Sequence, residues 1–283
     1  MDNYYVKSST GRLEQVLLCP PTYLNLSPIN KIAADWLNKG QIIDKQKCFA
    51  EHNELISIYK DNNIEVELLE ATDKLASQVF ARDFGFNLKE GYVLGRFKED
   101  IRKQETRKYA QKLAELGVPI IATCTKGIIE GGDFWQLDEK TLAIGVLQRS
   151  DEEGIENIRQ QLTPLGYRVI SVKSKPEYLH LDMIFNIVGK KTAVTYYDGL
   201  PDDFKDYLHE QNYDLIKITE EGVYQHFCNL QALGNNRIIS LANNKQVNQQ
   251  LKDKGFTVFE LSSTEILKTG GGPHCMTFPL KRA

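Results

Sequence analysis

The sequence of 283 residues repeats one arrangement of elements at intervals of roughly fifty residues. Each copy reads as a strand, a tight turn, a second strand, a helix and a third strand. Turn-forming residues separate the two strands of each hairpin, at residues 89–91, 138–140, 189–191 and 234–236. A repeat of this length is typical of a propeller or a solenoid, in which each unit resembles its neighbours. The spacing therefore predicts an α/β protein built from several ββαβ units.

Apolar residues at helical spacing and short alternating runs mark the elements that lie between the hairpins. Five helices are predicted, over residues 44–62, 101–116, 152–162, 203–211 and 244–254. Five strands outside the hairpins are predicted, over residues 14–19, 64–69, 118–122, 167–172 and 256–261. No Pro-rich or Ser-rich linker interrupts this order, so we predict a single domain over residues 1–283.

The first strand of each unit is predicted to begin near a polar residue. These residues recur with the period of the repeat, and they are Asp83, Asp133, Asp182, Asn229 and finally Cys275. If the units close into a ring around a central channel, the equivalent positions meet at one end of that channel. Carboxylates beside apolar strands are costly to bury without a cationic partner, which favours a functional site there. The alternative is that these residues belong to turns and strand edges of ordinary α/β units.

The composition excludes several classes of partner. A net charge of −3 and a pI near 6.0 provide no basic surface for nucleic acid or an anionic membrane, and no apolar run approaches the roughly 20 residues of a membrane helix. Residues 1–5 lack the basic and apolar regions of a signal peptide. The five cysteines are scattered, odd in number and without a CxxC pair, so we expect a reduced, cytoplasmic protein. The oligomeric state stays open, a homo-oligomer included.

Cys275 follows a run of three glycines in the segment GGGPHCMT at residues 270–277. Glycines let the backbone come close to a ligand or adopt a positive φ. A cysteine after such a loop can be surrounded by main-chain N–H groups, which lower the pKa of the thiol. The segment matches neither a P-loop nor a GxGxxG turn that opens a helix. Cys275 is therefore the candidate nucleophile; the alternative is a buried core cysteine, which is our interpretation of the other four.

His180 and Asp182 lie two residues apart in a segment that reads as a strand. Strand alternation predicts that both side chains project from the same face. An imidazole beside a carboxylate is a candidate acid/base pair, because the anion supports the protonated ring. The alternatives are a structural histidine at a strand edge and a metal site formed by His180, Asp182 and His274. No HExxH motif or clustered ligand spacing supports the metal.

Further carboxylates surround these positions in the predicted ring. Glu130 and Asp133 flank two glycines, so that a tight turn brings both acids to one place, and Asp83 adds a third. Crowded carboxylates favour a cationic substrate, and a planar guanidinium donates paired hydrogen bonds to them. Arg102 and Arg149 are candidates to bind a substrate carboxylate, although either is equally compatible with a surface position.

Four motifs occur in a fixed order: ARD at residues 81–83, EGGD at 130–133, HLD at 180–182 and GGGPHCMT at 270–277. Together they resemble the guanidine-modifying enzyme superfamily, which includes arginine deiminases, dimethylarginine dimethylaminohydrolases, arginine dihydrolases and amidinotransferases. The resemblance extends over nearly the whole chain. It implies the pentein fold, an α/β propeller of five ββαβ units around a central channel, in a single catalytic domain.

The resemblance also implies roles for individual residues. Cys275 matches the nucleophile, His180 the general acid/base, and Glu130 the carboxylate that supports the histidine. The matched substrate-binding positions are Asp83 and Asp182 for the guanidinium, Arg149 and Arg102 for the substrate carboxylate, and Asn30 in an N-terminal substrate loop. Ser77 departs from the pattern, because deiminases often carry Asn there and methylarginine hydrolases Asp.

The implied reaction is hydrolysis of the guanidinium group of arginine or a methylated arginine, giving citrulline and an amine. It proceeds through a covalent thiouronium on the cysteine and needs no metal or organic cofactor. Chain length and the N-terminal region favour a dimethylarginine dimethylaminohydrolase-like enzyme, whereas Asp182 favours an arginine deiminase or dihydrolase acting on unmethylated arginine. A non-catalytic pentein binding protein is the remaining alternative, and the presence of both Cys275 and His180 argues against it.

Overall fold

The computed structural model describes residues 4–283. Within this part of the chain, short strands form five small sheets. The strands are β1 (Tyr5–Val6), β2 (Leu13–Leu18), β3 (Glu65–Leu68), β4 (Gly85–Asn87), β5 (Tyr92–Leu94), β6 (Ile120–Thr123), β7 (Phe134–Gln136), β8 (Thr141–Val146), β9 (Arg168–Lys173), β10 (Phe185–Gly189), β11 (Thr192–Thr195), β12 (Asp214–Lys217), β13 (Gln231–Gly234), β14 (Arg237–Leu241), β15 (Thr257–Leu261) and β16 (Phe278–Arg282). The α-helices are α1 (Lys31–Asn38), α2 (Lys45–Asp61), α3 (Lys103–Glu115), α4 (Glu152–Leu162), α5 (Asp202–Glu210), α6 (Glu220–Tyr224) and α7 (Lys245–Asp253). Residues 1–3, on which the expectation of no signal peptide partly rests, lie outside the described residues.

Every sheet contains the same arrangement of strands. Four units follow one another along the chain, formed by β4–β5–β6, β7–β8–β9, β10–β11–β12 and β13–β14–β15. In each unit an antiparallel hairpin is followed by a strand that pairs in parallel with the second hairpin strand. A helix connects the second strand to the third, as a parallel crossover requires.

The fifth unit joins the two ends of the chain. Strand β16 pairs antiparallel with β2, with Phe278 opposite Leu17, and β2 pairs in parallel with β3. Helix α2 is part of the crossover between β2 and β3. Because N-terminal and C-terminal strands share one sheet, the five units close into a ring. Strand β16 contacts β4, and β13 contacts β2, at the boundaries between neighbouring units.

The helices are held by the apolar faces that they bury against the sheets, as α4 illustrates. It begins after Asp151, whose carboxylate accepts a hydrogen bond from the N–H of Gly154. Ile155, Ile158 and Leu162 recur at helical spacing and are fully buried in a cluster with residues of two neighbouring sheets. Burial of each such side chain contributes roughly 1.5–3 kcal/mol to folding.

The predicted ring of five ββαβ units is confirmed by this topology, and each predicted helix is present close to its expected bounds. Two helices are not predicted, α1 and α6, because each is too short to show a clear helical period in the sequence. No helix within residues 4–283 is long and apolar enough to span a membrane.

The first strand of each unit begins near a polar residue, as predicted, but that residue precedes the strand instead of opening it. Four of these residues lie in tight turns just before the first strand, and Asn229 follows directly after the turn at residues 225–228. In particular, Leu181–Met183 form a 3-10 turn, so the predicted strand alternation of His180 and Asp182 is wrong. The main chain closes this turn through hydrogen bonds from Met183 N to His180 O and from Ile184 N to Leu181 O, and this curvature replaces the two-residue period of a strand.

Candidate active site

The turns that precede the first strand of each unit meet at the centre of the ring. Their polar side chains are almost fully buried, and they belong to Asp83, Asp133, Asp182, Asn229 and Cys275. Hydrogen bonds connect different units here, since the side chains of Asp182 and Asn229 both contact that of Cys275. Ring closure thus brings together residues that are far apart in the sequence.

The thiol of Cys275 is held between two side chains. Nδ2 of Asn229 donates to Sγ at 2.9 Å, and Sγ–H donates to Oδ2 of Asp182 at 3.4 Å. Oδ2 of Asp182 also accepts a hydrogen bond from Nδ1 of His274 at 2.8 Å. The other oxygen of this carboxylate, Oδ1, is buried and has no hydrogen-bond partner among residues 4–283.

The surroundings of Cys275 keep its thiol protonated when no ligand is bound. Burial raises the pKa of Cys275 well above its usual value, and the negative charges of Asp182 and Asp83 add to this effect. The backbone of Gly272 and the hydrogen bond from Asn229 act in the opposite direction and lower the pKa. A cation bound beside the sulfur offsets the two carboxylates and therefore favours the thiolate.

His180 forms its close contact with Glu130 rather than with Asp182. Nε2 of His180 lies 2.9 Å from Oε2 of Glu130, and Nδ1 lies 4.0 Å from Oδ1 of Asp83. The predicted pairing of His180 with Asp182 is wrong, because the 3-10 turn after the histidine directs this aspartate towards Cys275.

The charges around His180 keep its ring protonated at neutral pH. Burial by itself lowers the pKa of His180, but nearby carboxylates outweigh this effect and raise the pKa to about 9; they belong to Asp83, Glu130 and Asp133. Burial likewise opposes the ionisation of Glu130, yet its hydrogen bond with His180 and the charge of Arg149 lower its pKa. His180 and Glu130 thus form a buried ion pair, in which the carboxylate of Glu130 stabilises the protonated ring of His180.

Asp133 fixes the turn that carries His180. Its Oδ1 accepts a hydrogen bond from Leu181 N at 2.8 Å, and its Oδ2 accepts one from Oγ of Ser150 at 2.6 Å. Gly132 lets the ring of His180 lie against the backbone, because a Cβ at this position would be 2.6 Å from Nδ1. The glycines and the aspartate of the EGGD segment therefore position the histidine.

Asp83 and Arg102 form a buried ion pair. Nη1 of Arg102 lies 2.7 Å from Oδ2 of Asp83, while its Nε and Nη2 donate to Glu105. Burial raises the pKa of Asp83 against the opposing charge of Arg102. Oδ1 of Asp83 has no hydrogen-bond partner within the described part of the chain. An unpaired buried oxygen is costly, so this atom is a ready acceptor for a ligand N–H.

Arg149 also contacts protein acceptors. Its Nη1 lies 3.4 Å from Oε1 of Glu130, and its Nη2 lies 3.7 Å from Oε1 of Glu99 and donates to the carbonyl of Ile29. Arg102 and Arg149 are buried rather than at the surface. Binding of a substrate carboxylate by either residue would therefore exchange one set of partners for another.

A small cavity of about 20 Å³ lies beside the thiol, and we call it the thiol cavity. Its lining includes six of the predicted site residues, namely Asn30, Asp83, Arg102, Arg149, His180 and Cys275. Glu130 and Asp182 do not line it, but each contacts a residue that does: Glu130 contacts His180, and Asp182 contacts Cys275. The space holds about one water molecule, so an arginine-sized ligand enters only after the surrounding loops separate.

Asn30 connects the N-terminal segment to the glycine loop. Its Oδ1 caps helix α1 by accepting from Ala33 N at 2.8 Å, and its Nδ2 donates to the carbonyl of Thr269 at 3.0 Å. Gly270 has φ +105°, and a Cβ there would lie 2.5 Å from Nδ2 of Asn30. The predicted substrate-loop asparagine thus joins the two loops that close the thiol cavity.

Part of the site has the composition of a metal centre. Ligand atoms of Asp83, Glu130 and His180 lie within 4.8 Å of one another. Guanidinium groups already compensate both carboxylates, because Arg102 contacts Asp83 and Arg149 contacts Glu130. The negative charge that would attract a metal ion is therefore largely neutralised by the protein itself.

Three further residues belong to the site without a predicted catalytic or substrate-binding role. Ser77 lines the thiol cavity. His274 is a predicted metal ligand only as an alternative, and in the structure its Nδ1 donates to Oδ2 of Asp182 at 2.8 Å. Asn229 has no sequence motif of its own, and its signal is the position in the repeat at which other units carry aspartate.

The chain matches the family model described as "N,N dimethylarginine dimethylhydrolase, eukaryotic" over residues 21–282. It is 32% identical to the uncharacterized protein YkgA of Bacillus subtilis over 98% of this chain and 94% of that protein. It is 26% identical to an arginine deiminase of Bacillus cytotoxicus over 74% of this chain and 63% of the deiminase. Among solved structures, the N-terminal domain of ArgZ, an arginine dihydrolase from Cyanobacteria, covers 95% of this chain and 97% of its own with a TM-score of 0.83 at 23% identity.

The similarity to the ArgZ domain shows a shared pentein fold, in agreement with the five-unit ring. The family match extends over nearly the whole chain and includes all four ordered motifs. The chain therefore belongs to the N,N-dimethylarginine dimethylhydrolase family, within the superfamily of guanidine-modifying pentein hydrolases that use a cysteine nucleophile.

Proposed function

We propose that this protein hydrolyses the guanidinium group of arginine or an N-methylated arginine, with release of an amine and formation of citrulline. The observation that carries this proposal is a pair of unpartnered carboxylate oxygens near the thiol, Oδ1 of Asp83 and Oδ1 of Asp182. Both are buried, and a guanidinium supplies the N–H donors that they lack. Because Sγ of Cys275 contacts Asp182, a guanidinium bound between the carboxylates would place its carbon near the sulfur.

Binding of the cation prepares the nucleophile. A positive charge beside the sulfur offsets the carboxylates that raise the pKa of Cys275, so the thiol releases its proton to solvent and becomes a thiolate. The thiolate then attacks the guanidinium carbon and forms a C–S bond. The amine leaves as the C–N bond breaks, and it takes a proton from His180.

The second half of the reaction restores the free enzyme. His180, now neutral, accepts a proton from water as the water oxygen attacks the thiouronium carbon. The C–S bond then breaks, the hydroxyl proton of the tetrahedral intermediate passes to the departing sulfur, and the ureido group of the product forms as the thiol of Cys275 is restored. Glu130 supports both halves because its carboxylate stabilises the protonated ring, which is the proton donor in the first half and is formed again in the second.

The reaction also needs a step that opens the site, because the thiol cavity of about 20 Å³ is too small for arginine. The N-terminal segment at Ile29 and Asn30 is the element that we expect to move. It is held over the cavity by hydrogen bonds from Arg149 to the carbonyl of Ile29 and from Asn30 to the carbonyl of Thr269. Loss of the first bond frees a donor of Arg149 for the substrate carboxylate.

Asp182 supports a second candidate function, in which the substrate is unmethylated arginine. Its carboxylate is fully buried and contacts Sγ of Cys275, so a nitrogen of the bound guanidinium would face it. Methyl groups on that nitrogen would remove donors and add volume in a tightly packed place. A deiminase would then release ammonia and citrulline, and a dihydrolase would continue to ornithine.

A panel of substrates separates these candidates. Purified protein is incubated with arginine, monomethylarginine, asymmetric dimethylarginine and agmatine, and the released amine and the other product are identified. We expect turnover of at least one of the first three compounds. Agmatine lacks the carboxylate that Arg149 would bind, so its kcat/KM should be lower than that of arginine by roughly 10- to 100-fold, the loss of one charged hydrogen bond or more.

The released amine assigns the substrate class. Ammonia alone supports the deiminase or dihydrolase, whereas methylamine or dimethylamine supports the methylarginine hydrolase. If none of the guanidines is turned over and thiol reagents do not label Cys275, the proposed function is wrong and a binding protein becomes the better interpretation.

A further inference from the structure

Asn229 lies in the fourth unit where the preceding three units carry an aspartate. Its side chain is only 1% exposed and makes four hydrogen bonds. Oδ1 accepts from the main-chain N–H groups of His274 at 2.9 Å and of Cys275 at 3.4 Å. Nδ2 donates to Sγ of Cys275 at 2.9 Å and to Oδ2 of Asp182 at 3.5 Å.

These contacts determine which end of the amide faces the sulfur. Two main-chain N–H donors meet one end of the side chain of Asn229, so that end is the oxygen and the NH₂ group points to the thiol. Gly272 provides the space for this arrangement, because a Cβ there would lie 2.8 Å from Oδ1 of Asn229. Gly272, the third glycine of the loop, therefore leaves room for the side-chain amide of Asn229 beside the thiol.

We propose that Asn229 is a further catalytic residue, whose side-chain N–H holds the sulfur of Cys275 in place and stabilises its negative charge before attack and on release. This inference rests on the proposed function, in which Cys275 is the nucleophile. The N–H hydrogens stay on Asn229 throughout, so no covalent bond to this residue forms or breaks.

The charges near the sulfur explain why a neutral donor matters at this position. Burial raises the pKa of Cys275, and Asp182 and Asp83 raise it further, whereas the backbone of Gly272 and the side-chain hydrogen bond from Asn229 lower it. Asp182 accepts from the sulfur, while Asn229 donates to it. An aspartate at position 229 would place a second carboxylate in contact with the sulfur. An amide accepts from the main chain at one end and donates to the sulfur at the other, which a carboxylate cannot do.

The test is the pH dependence with which the small cationic reagent 2-chloroacetamidine alkylates Cys275, located by peptide mass spectrometry. Asn229→Asp retains the oxygen that accepts from the main chain and removes the donor, whereas Asn229→Ala removes both. We expect the midpoint of alkylation to rise by about one to two pH units in each variant, and more in Asn229→Asp. We also expect kcat to fall by roughly 10- to 100-fold while KM changes by less than about threefold.

Asn248→Asp is the matched control, because Asn248 is equally buried and its amide donates to the carbonyl of Leu241 rather than to the thiol. Its alkylation midpoint should equal that of the wild type. A wild-type midpoint in Asn229→Asp overturns the proposal even if turnover falls, since that result describes a residue that only supports the fold.

If neither variant at position 229 folds, the side-chain amide resonance of Asn229 in ¹⁵N-labelled wild type gives the same information. We expect this resonance to shift as the thiol of Cys275 titrates, and a resonance that does not shift overturns the proposal. Alkylation requires no substrate turnover. A wild type that hydrolyses no guanidine therefore refutes the proposed function, while the alkylation midpoints still decide whether Asn229 stabilises the thiolate.

Discussion

Replacing Cys275 by serine is expected to lower kcat for guanidine hydrolysis by roughly 10⁴-fold or more while the fold is retained. The hydroxyl can keep the hydrogen bonds to Asn229 and Asp182 that the thiol makes. It remains protonated even beside a bound cation, because its pKa is far above that of a thiol, so the nucleophile is lost. Substrate affinity should change by less than about tenfold, since the carboxylates that bind the guanidinium remain. Single-turnover product formation and calorimetric titration measure the two effects separately.

Cys124→Ser is the matched control for this variant. Cys124 is buried like Cys275, but its Sγ–H donates to the carbonyl of Lys126 at 3.1 Å, a bond that a hydroxyl retains. This control should hydrolyse the substrate at the wild-type rate. Comparable activity in Cys275→Ser and in the control would remove the basis for covalent catalysis.

Glu130→Gln is expected to lower kcat/KM at neutral pH by roughly 10²- to 10⁴-fold and to move the alkaline limb of the pH–rate profile to lower pH. Glu130 is one of the carboxylates that raise the pKa of His180 to about 9. Donation of a proton to the leaving amine requires the protonated ring, so activity falls as the pH rises through that value. Without the carboxylate, the pKa of His180 should fall towards 6.5, and the limb should move by about one to two pH units.

The same charged pair gives protein stability a pH dependence of defined sign. The pKa of His180 is about 9 in the folded protein and 6.5 when unperturbed, so its contribution is fully present below about pH 6.5 and is lost as the pH rises through about 9. The loss of Tm over this window should be smaller in Glu130→Gln than in the wild type.

Glu51→Gln is the control for both Glu130 predictions, since this buried carboxylate accepts hydrogen bonds from Ser263 and Thr264. It should lower Tm without moving the alkaline limb, and an unmoved limb in Glu130→Gln would contradict the role of that carboxylate.

The architecture could be predicted from the sequence because the signals that define it are local and occur in several copies. Each hairpin turn contains residues that break an apolar run, and the helix predicted at 152–162 coincides with α4 because an aspartate cap and buried isoleucines follow ordinary helical rules. Once the units close into a ring, the common period brings Asp83, Asp182 and Cys275 to one place.

The pairing of side chains inside the site could not be predicted, because it depends on geometry that only the folded chain defines. Whether Asp182 faces His180 or Cys275 is decided by the 3-10 turn at Leu181–Met183, which a strand-alternation rule cannot represent. Asn229 shows the same limit, since its position in the repeat predicts that it lies in the site but not that its amide donates to the sulfur.

The most direct test of covalent catalysis by Cys275 is the mass of its peptide during turnover. Wild-type protein is mixed with a saturating amount of the substrate that the panel identifies, quenched with acid on the millisecond timescale and digested. We predict that the peptide containing Cys275 gains the mass of the substrate minus that of the released amine, and that the gain is absent in Cys275→Ser. Turnover that leaves this peptide unmodified at every time point, together with an active Cys275→Ser variant, would contradict a covalent intermediate on Cys275.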